Sequence, residues 1–426
     1  MPNQTPDREI ERVARGSYGK LIALLTAEFR DLPAAEDALS DALLKALARW
    51  QQDGVPESPE GWLITTARRR LLDEARRKQS RASPEVLNRL TNNCSIEAFS
   101  IPDRRLALFF ACAHPAIDST ARAPLILQAV LGLQASQIAE AFLLSETAMA
   151  QRLVRAKRKI RAAGIPFQIP ASTELTGRLQ AVLEAIYACY TAGWSTPPGA
   201  DDESRGLAQE AIWLARILVD LCPDEPEAVG LLALILHVEA RSAARYTPEG
   251  DYIPLSEQDP AYWDRGQVKE AESLLRKAAS FGKFGRFQLE AAIQSAYAAR
   301  LDSGVIDWPS ILLLYDALRT VAESPVIRIN RAIVIAEAHG APAGLRELDQ
   351  LIDREQAFEY QPYWAARAYL LRQIEEREAA QGAYKRAIAL SRNDAVRRFL
   401  QKQMEEIAFS STTPHISKKL MPRNSI

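Results

Sequence analysis

Arg152, Arg155, Lys157, Arg158, Lys159 and Arg161 crowd one short stretch near the middle of the chain, SETAMAQRLVRAKRKIRAAG, in which Glu146 is the acid. Guanidinium and ammonium groups at this density suit phosphate oxygens, and arginine and glutamine also reach base edges. The 426-residue chain has a net charge of -1, so the bias is local. A second stretch, GWLITTARRRLLDEARRKQSR (61–81), carries Arg68, Arg69, Arg70, Arg76, Arg77, Lys78 and Arg81 against Asp73 and Glu74. Trp62 at its start has the flat face on which an unpaired base stacks, although a tryptophan so placed more often packs in a core.

The elements that would position these side chains are helices. Met149, Leu153, Ala156 and Ile160 recur at helical spacing, Ser145 is placed to cap the first turn, and Gly164 followed by Pro166 marks the end. Gln151, Arg152, Arg155 and Lys159 then share the opposite face. Upstream, GLQASQIAEAFLLSETAMAQRL predicts a short helix over 136–142, a turn around Leu143 and Leu144, and the basic helix, which is helix-turn-helix grammar. Ile138 and Ala139 would face the junction. In the earlier basic stretch Leu63, Ala67, Leu71 and Ala75 form an i, i+4 apolar stripe. Before it, PAAEDALSDALLKALARW joins Glu36, Asp37 and Asp41 to an apolar stripe at Ala38, Ala42 and Ala46, a pattern that suits a protein partner.

Period 3.6 runs through almost every segment and period-two alternation is nearly absent, so the expected fold is all-α. The length implies more than one domain, and a hydrophobic fraction of 47% supplies ample core. Charge is unevenly divided: residues 1–163 hold 24 Lys and Arg against 19 Asp and Glu, and the remainder holds 29 against 35. Cys94, Cys112, Cys189 and Cys222 lack metal or disulfide spacing and fit reduced thiols in a cytosol. MPNQTPDREIERVARG has no signal-peptide character, and the apolar run VGLLALIL (229–236) is far short of the ~20 residues that cross a bilayer, so a buried helix and a cytoplasmic protein are expected.

Breaks in the pattern divide the chain into helices over 1–80, a linker over 81–103 rich in Ser, Asn and Pro, the helix-turn-helix segment over 104–164, a helical repeat over 174–409 and a polar, disordered tail over 410–426. WAARAYLLRQIEEREAAQGAYKRAIALSRND (364–394) has the spacing of a tetratricopeptide unit, with Ala368 and Ala387 where its two helices must touch.

Together, the AAEDALSDALL helix, the WLITTARRRLLDEARR helix, the linker and the helix-turn-helix ending RLVRAKRKIR closely resemble the extracytoplasmic-function class of RNA polymerase sigma-70 factors over about residues 10–163. Beyond them, LEAIYACYTAGWS, LSEQDPAYWD, FQLEAAIQSAYA and SPVIRINRAIVIAE look like the long subgroup with a tetratricopeptide-like C-terminal domain. The resemblance implies that Asp37 and Asp41 engage the β′ clamp helices of core polymerase. It implies that Trp62, Thr66, Arg69, Arg70, Asp73, Arg76 and Arg77 lie at the −10 element, held as a single strand. It places Thr147, Ala148, Gln151, Arg152 and Arg155 at the bases of the −35 element, with Lys157, Arg158 and Lys159 on phosphates, and it allows a protein regulator on the C-terminal domain. Three features depart from the family: Arg69 replaces a common Asn, Gln134 and Ala135 replace the Ser-Thr that usually caps the helix-turn-helix, and the recognition threonine is shifted to Thr147.

The competing reading is a helix-turn-helix regulator whose helical domain senses a ligand and which never binds polymerase. An enzyme is the weakest alternative: His237, Glu239, Arg241, Glu257, Asp259 and Asp264 supply acid and base groups, but no nucleophile elbow, phosphate loop or H-E-x-x-H accompanies them. His114 beside Cys112 lacks further ligands at metal spacing and reads as structural. No catalytic residue, cofactor or metal is therefore expected.

Overall fold

The computed structural model describes residues 6–79, 103–142, 144–170, 172–194, 202–351, 360–391 and 393–409. The linker expected over 81–103, apart from Asp103, and the tail expected over 410–426 lie outside these residues. The fold is all-α, and extended pairing among the described residues is confined to an antiparallel bridge between Tyr246 and Tyr252.

The helices fall into two compact units, residues 1–196 with 201–222, and residues 197–200 with 223–426. In the first, α1 (Pro6–Phe29), α2 (Leu32–Asp53) and α3 (Pro59–Gln79) pack on one another. Asp31 caps α2 by accepting from the Ala34 amide at 3.2 Å. The alanine stripe Ala38, Ala42 and Ala46 is wholly buried, as are Leu63 and Ala67 of α3, so small residues bring these helices together as their spacing predicts. Next come α4 (Arg105–Cys112), α5 (Ser119–Leu131), α6 (Ala135–Ala141) and α7 (Glu146–Ala162). α5 lies against α1 so closely that a Cβ on Gly19 would stand 2.4 Å from the Val130 carbonyl oxygen, and Gly132, at φ +74°, packs on the Tyr18 ring.

The domain boundary expected at 164–173 is displaced. α8 (Ser172–Trp194) packs on α5 and α4, and α9 (Asp202–Leu221) packs on α8 and α6, so both belong to the first unit. The physical reason is the broad apolar surface of α5: Leu125, Ile126, Leu127, Ala129 and Val130 are all buried, and one neighbouring helix cannot cover them. Cys189 of α8 sits over the Ala123 carbonyl at 3.8 Å, and the Arg105 guanidinium lies 5.6 Å from the Trp213 ring.

The second unit stacks α10 (Pro226–Glu239), α11 (Arg265–Ser280), α12 (Arg286–Ala298), α13 (Arg300–Ser303), α14 (Trp308–Val321), α15 (Pro325–His339), α16 (Ala341–Asp349), α17 (Gln361–Gln373), α18 (Arg377–Leu390) and α19 (Asp394–Phe409), largely as antiparallel neighbours. The run VGLLALIL forms the middle of α10 and is buried throughout. Ala368 and Ala387 are fully buried in the core that joins α17 to α18. Arg398 of α19 reaches back to Asp251 at 3.1 Å and to the Gly250 carbonyl at 3.0 Å, while Phe399 meets Tyr252 edge to face.

Candidate nucleic-acid interface

α6 and α7, the helices expected as a helix-turn-helix, pack on each other. Ser145 caps α7 by accepting from the Ala148 amide at 3.2 Å, and Met149, Leu153, Ala156 and Ile160 are buried as their spacing requires. Gly164 takes φ +60° and the Ile165 amide donates back to the Ile160 carbonyl at 3.0 Å, which closes the C-terminus. Ile138 and Ala139 of α6 are buried at the junction. The missing Ser-Thr cap of α6 is partly replaced: the Gln137 side chain accepts from the Gln134 amide at 2.9 Å, the returning half of a capping box.

On the outer side of α7, Thr147, Gln151, Arg155, Arg158 and Lys159 are exposed, and Ala148 and Arg152 are half-buried. Arg155 donates to the Gln151 carbonyl one turn back. Arg152 donates to the Thr120 carbonyl at 3.3 Å. That acceptor exists because Pro124, inside α5, has no amide to offer the carbonyl four residues earlier. Lys157 differs from its neighbours. Its ammonium is 2.5 Å from Glu36 of α2, each side chain only 13% exposed, so in this arrangement it is spent on a carboxylate and not offered to phosphate. Burial pushes the Glu36 carboxyl above its ordinary range, with Lys157 opposing the shift. Arg161 pairs in turn with Asp31, the cap of α2.

Of the residues expected at the −10 element and at polymerase, all but Arg76 line one cleft. An open cleft of about 1080 Å³ between α2 and α3 is lined by Trp62, Thr66, Arg69, Arg70, Asp73 and Arg77 together with Asp37 and Asp41. Trp62 is half-buried, its ring edge-on to the buried Trp50 at 5.6 Å between centroids, so it both packs and presents a surface to the cleft. Arg69, Arg76 and Arg77 are exposed. Arg70 is salt-bridged to Asp41 and donates to the Asp37 carbonyl at 2.9 Å, and Arg76 lies 3.5 Å from Asp73. Arg68, counted among the bases of this face, turns inward: its guanidinium takes both oxygens of Glu28, and its side chain is 11% exposed. Glu28 stands forty residues earlier on another helix, and its partnership had no local sign in the sequence.

Two of the acids of the enzymatic alternative serve as caps. Asp259 caps the turn at Pro260–Tyr262, and Asp264 caps α11 through the amides of Gly266 and Gln267. His237 is buried 3.5 Å from Glu272, yet burial outweighs the carboxylate and holds the imidazole neutral, pushed down to about 4. His114 accepts from the Ala116 amide at 3.1 Å within its own turn.

Residues 15–81 match Sigma-70 region 2, the segment that folds as α1 to α3 with its cleft. Residues 178–279 match a family of unknown function (DUF6596), whose span runs from α8 and α9 of the first unit into α10 and α11 of the second. No solved structure matches the chain. The uncharacterized protein R00370 of Rhizobium meliloti (strain 1021) is 36% identical over 394 residues, covering 90% of this chain and 92% of that protein. With that identity along nearly its full length, the chain belongs to the family of the Rhizobium meliloti protein, and its own residues 15–81 are a Sigma-70 region 2.

Proposed function

We propose that the chain is an RNA polymerase sigma factor of the extracytoplasmic-function type, a cytoplasmic protein that directs core polymerase to chosen promoters and has no chemistry of its own. The observation that carries this reading is the Sigma-70 region 2 match laid over a cleft that gathers Asp37 and Asp41 with Trp62, Thr66, Arg69, Arg70, Asp73 and Arg77. In this reading Asp37 and Asp41 meet the β′ clamp helices. Arg69, Arg76 and Arg77 follow the backbone of the melted −10 strand, and Trp62 stacks on a base. α7 lies in the major groove at the −35 element, where Thr147, Ala148, Gln151, Arg152 and Arg155 read bases and Arg158 and Lys159 neutralise phosphates. The second unit, a tetratricopeptide-like stack, regulates admission to promoter DNA through a protein partner.

The decisive experiment is capture of core polymerase by the purified full-length chain, followed by run-off transcription from a promoter library. Capture that is lost when Asp37 and Asp41 are both replaced by Lys supports the proposal. Sequence-specific binding to duplex without core polymerase, with no capture, establishes instead a regulator that acts apart from polymerase.

A further inference from the structure

α2 (Leu32–Asp53) and its cap bear three acids, each paired with a cation of a helix read above as facing DNA. Asp31 holds Arg161 of α7, Glu36 holds Lys157 of α7, and Asp41 holds Arg70 of α3. The Lys157–Glu36 pair is the enclosed one, near the half-buried Tyr18 and the buried Cys112, whereas the Arg161 side chain is 61% exposed. A carboxylate that takes an ammonium or guanidinium uses the same donors that a phosphate diester would take. The two occupants therefore exclude each other. Arg155, Arg158 and Lys159 stay exposed, so a first encounter with duplex remains open while the rest of the charge is withheld.

We propose that the acidic edge of α2 is an intramolecular competitor of the DNA backbone, holding cations of both DNA-facing helices in the free chain and yielding them when phosphate arrives. The inference rests on reading α3 and α7 as DNA-facing helices. It also accounts for Lys157, whose expected phosphate contact is occupied by Glu36. Because Asp41 belongs to the face assigned to polymerase, a partner that takes this carboxylate also frees Arg70.

The test is a pair of double-mutant cycles on the full-length chain, read as affinity for a labelled random-sequence duplex at low salt. Lys157→Gln should weaken binding less than about twofold in the native background, where Glu36 already occupies the amine, and by roughly tenfold in a Glu36→Gln background. The exposed pair, Arg161→Gln with Asp31→Asn, gives a second cycle that does not depend on a buried charge and should deviate in the same direction, by roughly threefold. Asp53→Asn with Glu57→Gln, exposed acids of the same unit, controls for net charge and should leave the Lys157→Gln effect unchanged. Additive effects in both cycles overturn the proposal. A chain that captures polymerase while both cycles are additive loses this inference alone, and one that binds neither polymerase nor duplex loses the sigma-factor reading too.

Discussion

Two kinds of buried or half-buried polar side chain carry predictions at the residue scale. Arg152 is held against the protein by the Thr120 carbonyl, and Lys159 stands in solvent. In the polymerase complex, Arg152→Ala should cost about 1–3 kcal/mol at one base pair, whereas Lys159→Ala should weaken all sequences alike and flatten the salt slope by about one. Titration of promoter and random duplexes against salt separates them, and identical behaviour would remove α7 as the reading helix. His237 carries the second prediction. An imidazole held down to about 4 in the folded state is neutral there, while the unfolded chain protonates near its ordinary value of 6.5. Protons therefore favour the unfolded state as pH falls from about 6.5 to about 4, and up to about 3 kcal/mol of stability is lost across that window. Urea unfolding at steps of pH should show this loss in the native chain and a shallower one in His237→Gln; equal slopes would show that His237 does not titrate as argued.

At the scale of elements, the contact between α1 and α5 is set by backbone approach. Alanine is the better helix former by up to ~1 kcal/mol, yet Gly19→Ala places a methyl 2.4 Å from the Val130 carbonyl oxygen, and overpacking of this kind costs about 1–3 kcal/mol. A lower thermal midpoint is expected, and a raised one would mean that the helices separate freely. The buried alanines of α2 follow the same logic: small side chains let neighbouring helices approach, and Asp41 of α2 reaches Arg70 of α3.

For the whole molecule, the position of α8 and α9 decides where the chain can be cut. α8 packs on α5, with Cys189 over the Ala123 carbonyl, and its Leu179, Val182, Ile186 and Tyr190 are buried. A fragment of residues 1–222 keeps that cover and should unfold cooperatively in solution. A fragment of residues 1–172, cut at the boundary suggested by the prolines, bares α5 and should aggregate or lose its transition. Circular dichroism and light scattering on the two fragments distinguish these outcomes, and equal behaviour would show that α8 and α9 are dispensable to the first unit. Comparing the 1–222 fragment with the intact chain in run-off transcription then isolates what the second unit contributes.

Helical periodicity by itself determined the all-α fold, the caps at Ser145 and Gly164, the buried stripe of α7 and the burial of the VGLLALIL helix, because each depends on residues within a turn or two of one another. Charge composition likewise marks two cationic helices. What the cations face was decided only by tertiary packing: Glu28 stands forty residues from Arg68, Glu36 more than a hundred from Lys157, and no local pattern records such a pairing. The division between units was equally hidden. Prolines at 166 and 170 interrupt a helix, which is a local event, whereas the unit extends to Cys222 because α8, which follows the interruption, packs on α5, and α9 packs in turn on α8 and α6. Hydrophobic burial is indifferent to chain order, and so a boundary read from backbone breaks and one set by shared core need not coincide.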